Sequence, residues 1–467
     1  MQAHYINGQW IQGEDREQID VYNSYTGEVI QQIPQATKEE VDQAVKAANE
    51  AFRVWCNTSK EERAKYVKQI RDGIERNKEK LADIITQELG ATKRTSLSGQ
   101  VEKSCEEMDC LLDAFKDYSF EETLENALVV KEPYGVVSMI TPWNYPLNQI
   151  QRKLTPALLT GNTVVVHPSS KTPLAAIELA RIIDEETDLP KGVFNLILGR
   201  GGTSGDYLAN HPNTQVISFT GSTKVGSHMY ESAKDHIKQL VLELGGKSAM
   251  LLLEEGDVDL AVETTLNMLL GNVGQTCTVL SRLFIPSSIK EVVYQKITDF
   301  YENNVVLGDP ADEKTTLGPL IDQNQKERVE EYIKVGLKEG ARRLVGRSQV
   351  DLKGPFVDLT VFVDVTNDMK IAQEEIFGPV LSVITYDDLQ TAINEVNDSD
   401  YGLSGAVVGP KEKAIKVARQ LETGLVSVNN GRRNSSAPMG GHKLSGLGQE
   451  VGIYSLEDYL QTKSIFL

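Results

Sequence analysis

The sequence contains little cysteine and no long apolar run. Its 467 residues include four cysteines, Cys56, Cys105, Cys110 and Cys277, a density far below that of a disulfide scaffold. Cys105 and Cys110 lie on a predicted helix, but no second Cys/His pair completes a metal site, so we expect no metal. No apolar stretch approaches the ~20 residues that span a bilayer, and the polar start MQAHYINGQW does not resemble a secretory signal. We therefore expect a cytoplasmic protein without a membrane partner.

Positive charge is also scarce. The chain carries 48 Lys and Arg against 67 Asp and Glu, a formal net charge of −19. An acidic protein repels nucleic acid and anionic lipid, so we expect neither as a partner. The length predicts two or three packed units, and a composition of 40% hydrophobic and 25% charged residues is typical of a globular protein.

Two kinds of pattern divide the chain. Amphipathic helices come first, as in KEEVDQAVKAANEAFRVW (38–55), where apolar residues recur at helical spacing. From about residue 135, β-branched runs such as GVVSMI, TVVVHP and QVISFTG alternate with helices, and the second half repeats this alternation. Apolar strands separated by helices predict parallel sheets in two α/β units. The end of the chain, DYLQTKSIFL, has strand character and is either an arm that pairs elsewhere or an ordinary edge strand.

Three polar groups stand in positions that suit covalent chemistry. Cys277, in GNVGQTCTV, is either a core thiol or a single nucleophile, because it has no local partner. Asn144, in TPWNYP, is flanked by prolines that fix the backbone, as an oxyanion donor requires, although a structural loop has the same pattern. Glu243, in LVLELGGKSAM, lies in an apolar run that would raise its pKa towards that of a general base. The alternative for Glu243 is a solvent-facing position on a strand.

Glycine-rich turns follow two of the predicted strands. In FTGSTKVG, Gly221 and Ser222 open a helix whose N-terminus suits a pyrophosphate, although a capped helix without ligand looks the same. LGRGGTSG (198–205) fits a dinucleotide fingerprint superficially, but the acidic residue that should follow is missing, which favours a plain tight turn. QEEIFGPV places Glu375 and Phe377 beside a Gly-Pro turn.

Together these stretches resemble the aldehyde dehydrogenase superfamily. TPWNYP, FTGSTKVG, LELGGKS, the GQTC cysteine, EEIFGPV and PMGGHKLSGLG occur in the family's order and at its spacing, over essentially the whole chain. The resemblance implies a non-acylating, NAD- or NADP-dependent oxidation of an aldehyde. It also implies an α/β fold with two Rossmann-like open parallel-sheet domains and a small β oligomerisation arm. The implied domains are cofactor-binding (1–114 and 134–245), catalytic (246–442) and oligomerising (115–133 and 443–467), in a homodimer or homotetramer.

The same resemblance assigns roles to single residues. Cys277 matches the thiol that attacks the aldehyde, Asn144 the oxyanion-binding amide and Glu243 the base that activates water for thioester hydrolysis. Lys153 matches a lysine of the active-site network. The matched cofactor contacts are Trp143, His167, Ser170, Gly221, Ser222, Leu244, Glu375 and Phe377.

Two of these positions depart from the family pattern. His167 stands where the family usually has a lysine, and Ser170 stands where members that prefer NAD usually carry a glutamate that repels a 2′-phosphate. Ser170 removes that repulsion, and His167 offers a hydrogen bond to a phosphate, whereas loss of the lysine weakens the positive field. We expect use of both cofactors or a preference for NADP.

The residues matched to the substrate pocket are polar, which disfavours a fatty or aromatic aldehyde. They are Tyr145, Gln149, Arg152, Thr276, Thr278 and Arg432. Arg152, with Arg432 or Arg433, predicts a small polar or carboxylate-bearing aldehyde such as a short semialdehyde. The alternative is that these arginines bind surface acids. A CoA-acylating enzyme and a silent binding protein on the same fold are the competing functions, and the Cys277, Asn144 and Glu243 set argues against both.

Overall fold

The computed structural model describes residues 3–13 and 15–467. In chain order its strands are β1 (His4–Ile6), β2 (Gln9–Ile11), β3 (Gln18–Tyr22), β4 (Val29–Pro34), β5 (Glu121–Leu124), β6 (Ala127–Pro133), β7 (Val136–Ile140), β8 (Thr163–His167), β9 (Phe194–Leu196), β10 (Val216–Thr220), β11 (Gln239–Glu243), β12 (Ser248–Leu252), β13 (Leu280–Pro286), β14 (Arg342–Val345), β15 (Thr360–Val363), β16 (Val380–Tyr386), β17 (Tyr401–Gly402), β18 (Ser404–Val408), β19 (Leu425–Val428), β20 (His442–Lys443), β21 (Gly446–Leu447) and β22 (Leu460–Phe466).

The α-helices lie between these strands. They are α1 (Lys38–Trp55), α2 (Lys60–Arg76), α3 (Lys78–Leu89), α4 (Lys103–Phe115), α5 (Asn148–Leu159), α6 (Leu174–Glu186), α7 (Asp206–Asn210), α8 (Thr223–Lys234), α9 (Val258–Leu270), α10 (Lys290–Asn304), α11 (Gln323–Lys338), α12 (Lys370–Gln373), α13 (Leu389–Asn397) and α14 (Lys411–Ala418). None of the helices in the described residues combines the length and the apolar character needed to cross a bilayer.

The larger sheet has the strand order β2-β1-β9-β8-β7-β10-β11-β21. Its central strands, from β9 to β11, pair in parallel. β7, β8 and β10 are buried along their whole length, because helices such as α1 and α5 pack against them. The chain passes from β7 through β8 to β9 and then returns to the other side of β7 for β10 and β11. Open α/β sheets bind ligands at the carboxyl ends of the strands beside such a reversal.

The second sheet has the order β14-β15-β16-β13-β12-β18-β19, and its neighbours are parallel except for the β14–β15 pair. The two open sheets confirm the predicted α/β class with two Rossmann-like parallel-sheet units. Residues 244–247 join them, because β11 ends at Glu243 and β12 begins at Ser248. The catalytic groups predicted on either side of this junction are therefore brought to one place by the fold.

The end of the chain belongs to a separate small sheet. β22 pairs with β6 in an antiparallel register that runs from Leu460 opposite Pro133 to Phe466 opposite Ala127, and β6 pairs with β5. The segment is therefore not an edge strand of either large sheet. Phe466 and Leu467 are 78% and 80% exposed, so this small sheet carries apolar surface at its tip.

Candidate active site

Loops from three adjacent strands meet at one edge of the larger sheet. The loop after β7 carries Trp143 and Asn144, the turn after β10 carries Ser222, and β11 ends with Glu243. Because β7, β10 and β11 are neighbours and parallel, their carboxyl ends lie side by side. Cys277 approaches from the second sheet, three residues before β13 begins.

These segments enclose a cavity of about 200 Å³. Many of the residues assigned by resemblance line it, namely Trp143, Asn144, Gln149, Gly221, Ser222, Leu244, Cys277, Glu375 and Phe377. The indole of Trp143 and the ring of Phe377 meet edge to face, with their centroids 5.4 Å apart. The fold thus gathers the predicted nucleophile, the predicted oxyanion donor and most of the predicted cofactor contacts in one place.

Two residues of α11 that the sequence did not single out also line the cavity. Arg328 Nη2 donates to the carbonyl oxygen of Glu375 at 2.8 Å, and Gln325 Nε2 donates to that of Phe377 at 2.7 Å. They hold the EEIFGPV segment against the cavity. In the sequence they are ordinary polar residues of an amphipathic helix, so no local signal distinguished them.

A strained turn delivers Cys277. Asn272, Val273 and Gly274 have φ angles of 51°, 57° and 69°, which is a run of left-handed residues in which valine is unfavourable. A Cβ on Gly274 would lie 2.3 Å from the carbonyl oxygen of Gly378, so only glycine fits. The buried Gln275 side chain holds the turn, because its Nε2 donates to Asn272 O at 3.1 Å and its Oε1 accepts from a backbone N–H at 3.0 Å.

The side chain of Asn144 is fixed by the same turn. Its Nδ2 donates to the carbonyl oxygen of Gln275 at 3.0 Å, and the residue is 4% exposed. A carboxamide nitrogen has two N–H groups, so one anchors Asn144 and the second remains available to another acceptor.

The thiol of Cys277 is half-buried and surrounded by acids. Burial, followed by the negative charges of Glu243 and Glu375, raises the pKa of Cys277 to about 12. The thiol is therefore protonated at neutral pH in this state. Glu375 is itself placed by Gly246 N, which donates to its carboxylate at 3.0 Å.

Glu243 is buried rather than solvent-facing. The residue is 2% exposed, and neither carboxylate oxygen has a hydrogen-bond partner among the described residues. Burial and the charge of Glu450 raise the pKa of Glu243 well above its ordinary value. The alternative of a surface carboxylate is thereby removed, and the group has the environment that a general base near neutral pH requires.

Lys153 forms an ion pair with Glu450 in the protein interior, where the two side chains are 0% and 1% exposed. Lys153 Nζ also donates to Thr220 Oγ1 at 2.6 Å. Glu450 was not predicted, because it lies two residues beyond the PMGGHKLSGLG motif and 297 residues from its partner in the chain. The pair places one carboxylate charge beside Glu243.

The predicted arginine pair is not formed. Arg152 donates from Nε and Nη2 to the two oxygens of Glu107, at 2.9 and 2.7 Å, and its side chain is 9% exposed. Arg432 has a side chain that is 87% exposed and lies 3.7 Å from Glu106. Arg152 is therefore occupied by a buried acid and Arg432 lies in solvent, which corrects the expectation that these two meet a substrate carboxylate.

Three other residues matched to the substrate pocket lie beside the nucleophile. The hydroxyl groups of Tyr145 and Thr276 are 3.1 Å apart, which ties the loop after β7 to the residue before Cys277. Thr278 follows Cys277 and is half-buried. The residues described around the 200 Å³ cavity include Gln149 but not these three.

His167 and Ser170 lie outside the first cavity. His167 is 1% exposed, and its Nε2 lies 2.8 Å from Ser204 Oγ. Burial lowers the pKa of His167 to about 4, so the ring is neutral at pH 7. A buried, neutral imidazole does not provide the predicted phosphate contact. Ser170 is half-buried and lines a second cavity of about 630 Å³, which it shares with Lys171 and Arg200.

Comparison with known proteins gives one consistent result. The model of the aldehyde dehydrogenase family matches residues 10–465. A putative aldehyde dehydrogenase of Staphylococcus aureus is 42% identical over 465 residues, which cover 99% of this chain and 98% of the relative. A putative aldehyde dehydrogenase of Staphylococcus saprophyticus matches with the same identity and coverage.

Solved structures agree with the sequence comparisons. A mutant of aldehyde dehydrogenase C from Pseudomonas syringae, in complex with NAD+ and octanal, superposes with a TM-score of 0.97 at 38% identity, covering 100% of this chain and 96% of that one. Betaine aldehyde dehydrogenase from Staphylococcus aureus, in complex with NAD+, superposes with a TM-score of 0.94 at 37% identity, covering 100% and 94%.

Proposed function

The chain belongs to the aldehyde dehydrogenase family, and on that premise we propose that it oxidises a small polar or carboxylate-bearing aldehyde through a thioester on Cys277. The observation that carries this proposal is that Cys277 and the anchored amide of Asn144 line one cavity, with the buried carboxylate of Glu243 near enough for its charge to raise the pKa of Cys277. These are the nucleophile, oxyanion donor and base that the reaction requires.

In the proposed reaction each residue acts at a stated atom. Cys277 Sγ releases its proton to water and forms a C–S bond to the aldehyde carbon as the C=O π bond opens, and Asn144 Nδ2 with the Cys277 backbone N–H holds the oxygen that becomes negative. Bound NAD or NADP supplies the acceptor for the hydride that leaves this carbon. Glu243 takes a proton from water, which attacks the resulting thioester, releases the carboxylic acid and restores the thiol.

The residues around the cavity fit a dinucleotide. Ser222 is the N-cap of α8, and its Oγ accepts from Val225 N at 3.4 Å, so the helix begins at the cavity with its positive end. Glu375 offers a carboxylate that can accept from ribose hydroxyls. A Cβ on Gly245 would lie 2.6 Å from Glu375 Oε2, so the glycine keeps room for this carboxylate.

We propose that both NAD and NADP are used. Ser170 carries no negative charge against a 2′-phosphate, and His167 contributes no positive charge to attract one, so neither cofactor is strongly selected. Steady-state kinetics of the wild-type enzyme and of Ser170→Glu test this point. The glutamate is expected to lower kcat/KM for NADP and to leave kcat/KM for NAD largely unchanged. An unchanged ratio of kcat/KM for NADP to that for NAD would contradict the assignment of Ser170.

The proposed domain roles follow the sheets. Residues 1–114 and 134–245 contain the larger sheet apart from β21 and are proposed to bind the cofactor, whereas 246–442 contain the second sheet and Cys277. Segments 115–133 and 443–467 contain β5, β6 and β22 and are proposed to join subunits into a homodimer or homotetramer.

The decisive experiment measures NAD(P)H formation over a panel of aldehydes with both cofactors. Wild-type enzyme is expected to reduce either cofactor without coenzyme A, and Cys277→Ser is expected to lose this activity. Activity that depends on coenzyme A would favour the acylating alternative, which the buried Glu243 argues against. Full activity of Cys277→Ser would remove the nucleophile assignment.

A further inference from the structure

Arg433 presents a buried donor that lacks a partner. Its Nη2 atom is closed off from solvent, and no group in the described residues accepts a hydrogen bond from it. A guanidinium keeps its charge in proteins, and a buried charged donor without an acceptor is costly. Arg433 therefore lacks an acceptor that has to come from outside the described chain.

The loop that carries Arg433 is fixed against α4. Two residues further on, Ser435 Oγ donates to Glu106 at 2.8 Å and accepts from Lys103 Nζ at 2.7 Å. Both partners lie on α4, the helix that also carries Glu107, the ion-pair partner of Arg152. The loop is thus held against α4 by contacts of Ser435 rather than by a bond of the Arg433 guanidinium.

The charges around Arg433 identify its surroundings. Burial and the positive charge of Arg152 lower the pKa of Arg433, whereas the negative charges of Glu107, Cys277 and Glu243 raise it. The guanidinium therefore lies within electrostatic range of Cys277 and Glu243. It is not on the outer surface, where the neighbouring arginine lies.

The buried charges near Arg433 do not balance. Two ion pairs neutralise their own members, Arg152 with Glu107 and Lys153 with Glu450. Burial raises the pKa of Glu243 well above its ordinary value, which favours the neutral acid. One positive charge is then left over, and it belongs to Arg433.

We infer that Arg433 binds the carboxylate of an aldehyde substrate at the end remote from the reacting carbon. This inference rests on the proposed oxidation at Cys277 and names the residue that selects the substrate. A carboxylate matches the planar guanidinium and supplies the missing charge. Arg152 cannot take this role, because Glu107 already occupies two of its donors.

The test compares two aldehydes of equal carbon number, succinic semialdehyde and butanal. For Arg433→Gln, the ratio of kcat/KM for succinic semialdehyde to that for butanal is expected to fall roughly 10- to 100-fold, the loss of one charged hydrogen bond. The loss is expected in KM more than in kcat, because the carboxylate is bound equally in the ground state and the transition state.

The adjacent arginine provides a matched control. Arg432→Gln removes the same kind of side chain from an exposed position and is expected to leave the substrate ratio unchanged. Butanal turnover reports whether each variant is folded. If Arg433→Gln does not fold, Arg433→Lys, which keeps the charge but loses the fork, is expected to lower the ratio by a smaller factor.

Several results would overturn the inference. Equal losses of kcat/KM on both aldehydes would mean that Arg433 acts on Cys277 or Glu243 rather than on the substrate. A wild-type preference for butanal would contradict recognition of a substrate carboxylate. Each of these leaves aldehyde oxidation intact. Failure of the proposed function has a different signature, either no NAD(P)H from either aldehyde or full activity of Cys277→Ser.

Discussion

Asn144 Nδ2 donates a hydrogen bond to the carbonyl oxygen of Gln275, two residues before Cys277 in the chain and 131 residues after Asn144. The donor belongs to the loop after β7 and the acceptor to the left-handed turn that precedes β13. This one bond links the two large sheets at the site and fixes an amide beside the thiol. The side-chain amide of Asn144 therefore meets two demands: one N–H group anchors the turn, and the other is proposed to bind the oxyanion.

Replacement of Asn144 by alanine separates these two demands. We expect kcat to fall by roughly 10²- to 10³-fold, the usual cost of removing one oxyanion donor. The free energy of unfolding is expected to fall by only ~1 kcal/mol for the lost hydrogen bond. Steady-state kinetics and urea unfolding measure the two effects.

Asn272→Ala is the matched control for Asn144→Ala. Asn272 Nδ2 donates to the same carbonyl oxygen of Gln275, at 3.1 Å, but does not line the cavity. A larger loss of stability with a smaller loss of kcat is expected, because Asn272 Nδ2 also donates to Asn144 O at 2.9 Å and the φ of 51° at Asn272 disfavours alanine. If both variants lose kcat equally, Asn144 acts only by holding the turn.

The environment of Glu243 predicts opposite pH shifts for two neighbours. The charge of Glu450 raises the pKa of Glu243, and the charge of Lys153 lowers it. Glu450→Gln should therefore move the acid limb of the deacylation rate to lower pH, because the base ionises sooner. Lys153→Met should move it to higher pH. The pH dependence of thioester hydrolysis, followed in single turnovers, checks both signs.

Stability provides the control for that pair. Each single substitution leaves a buried charge without its partner and is expected to cost about 3–5 kcal/mol of unfolding free energy, much of which the double variant Lys153→Met/Glu450→Leu should recover. pH limbs that shift in the same direction for both single variants would show that loss of structure, rather than charge, controls the profile.

The sequence predicted the sheets because their strands are buried on both faces. Runs such as VVSMI and TVVVH are mostly apolar and do not alternate with polar residues, and β7 and β8 are fully buried. The side-by-side placement of Asn144, Ser222 and Glu243 needed the strand order, which no local pattern contains.

The predictions that needed correction concern polar groups with distant partners. Arg152 and Glu107 are 45 residues apart, so no window of sequence shows their pairing. The Lys153–Glu450 pair, 297 residues apart, was missed for the same reason. Family position alone placed His167 at a phosphate. Burial and the contact with Ser204 decide otherwise, and sequence position carries neither fact.

Buried His167 predicts a loss of stability in mild acid. Its pKa is lowered by burial from 6.5 to about 4 in the folded chain, whereas the unfolded chain keeps the ordinary value. Below pH 6.5 the unfolded state therefore binds a proton that the folded state does not, and stability falls as pH decreases towards 4. The shift corresponds to about 3 kcal/mol.

Urea unfolding between pH 7.5 and 4.5 measures this dependence. His167→Gln, which keeps a polar group for Ser204, is expected to weaken it without abolishing it, because burial also lowers the pKa of His4 to about 4. His236→Gln, at an exposed histidine, is expected to leave it unchanged. If His167→Gln retains the full acid loss of stability, other groups are responsible for it.

The oligomerisation role proposed for the small sheet can be tested at its tip. β22 and β6 form a two-sided ribbon that covers little of its own chain, and Ile465, Phe466 and Leu467 are 41%, 78% and 80% exposed. Apolar tips of this kind are more typical of an interface than of free surface.

Phe466→Asp is expected to reduce the assembly to smaller species in sedimentation analysis, because a charge there is costly to bury. Lys463→Ala, in the same strand, removes only a surface ion pair with Glu132 and is expected to leave the mass unchanged. A Phe466→Asp enzyme with the wild-type mass would place the subunit contact elsewhere.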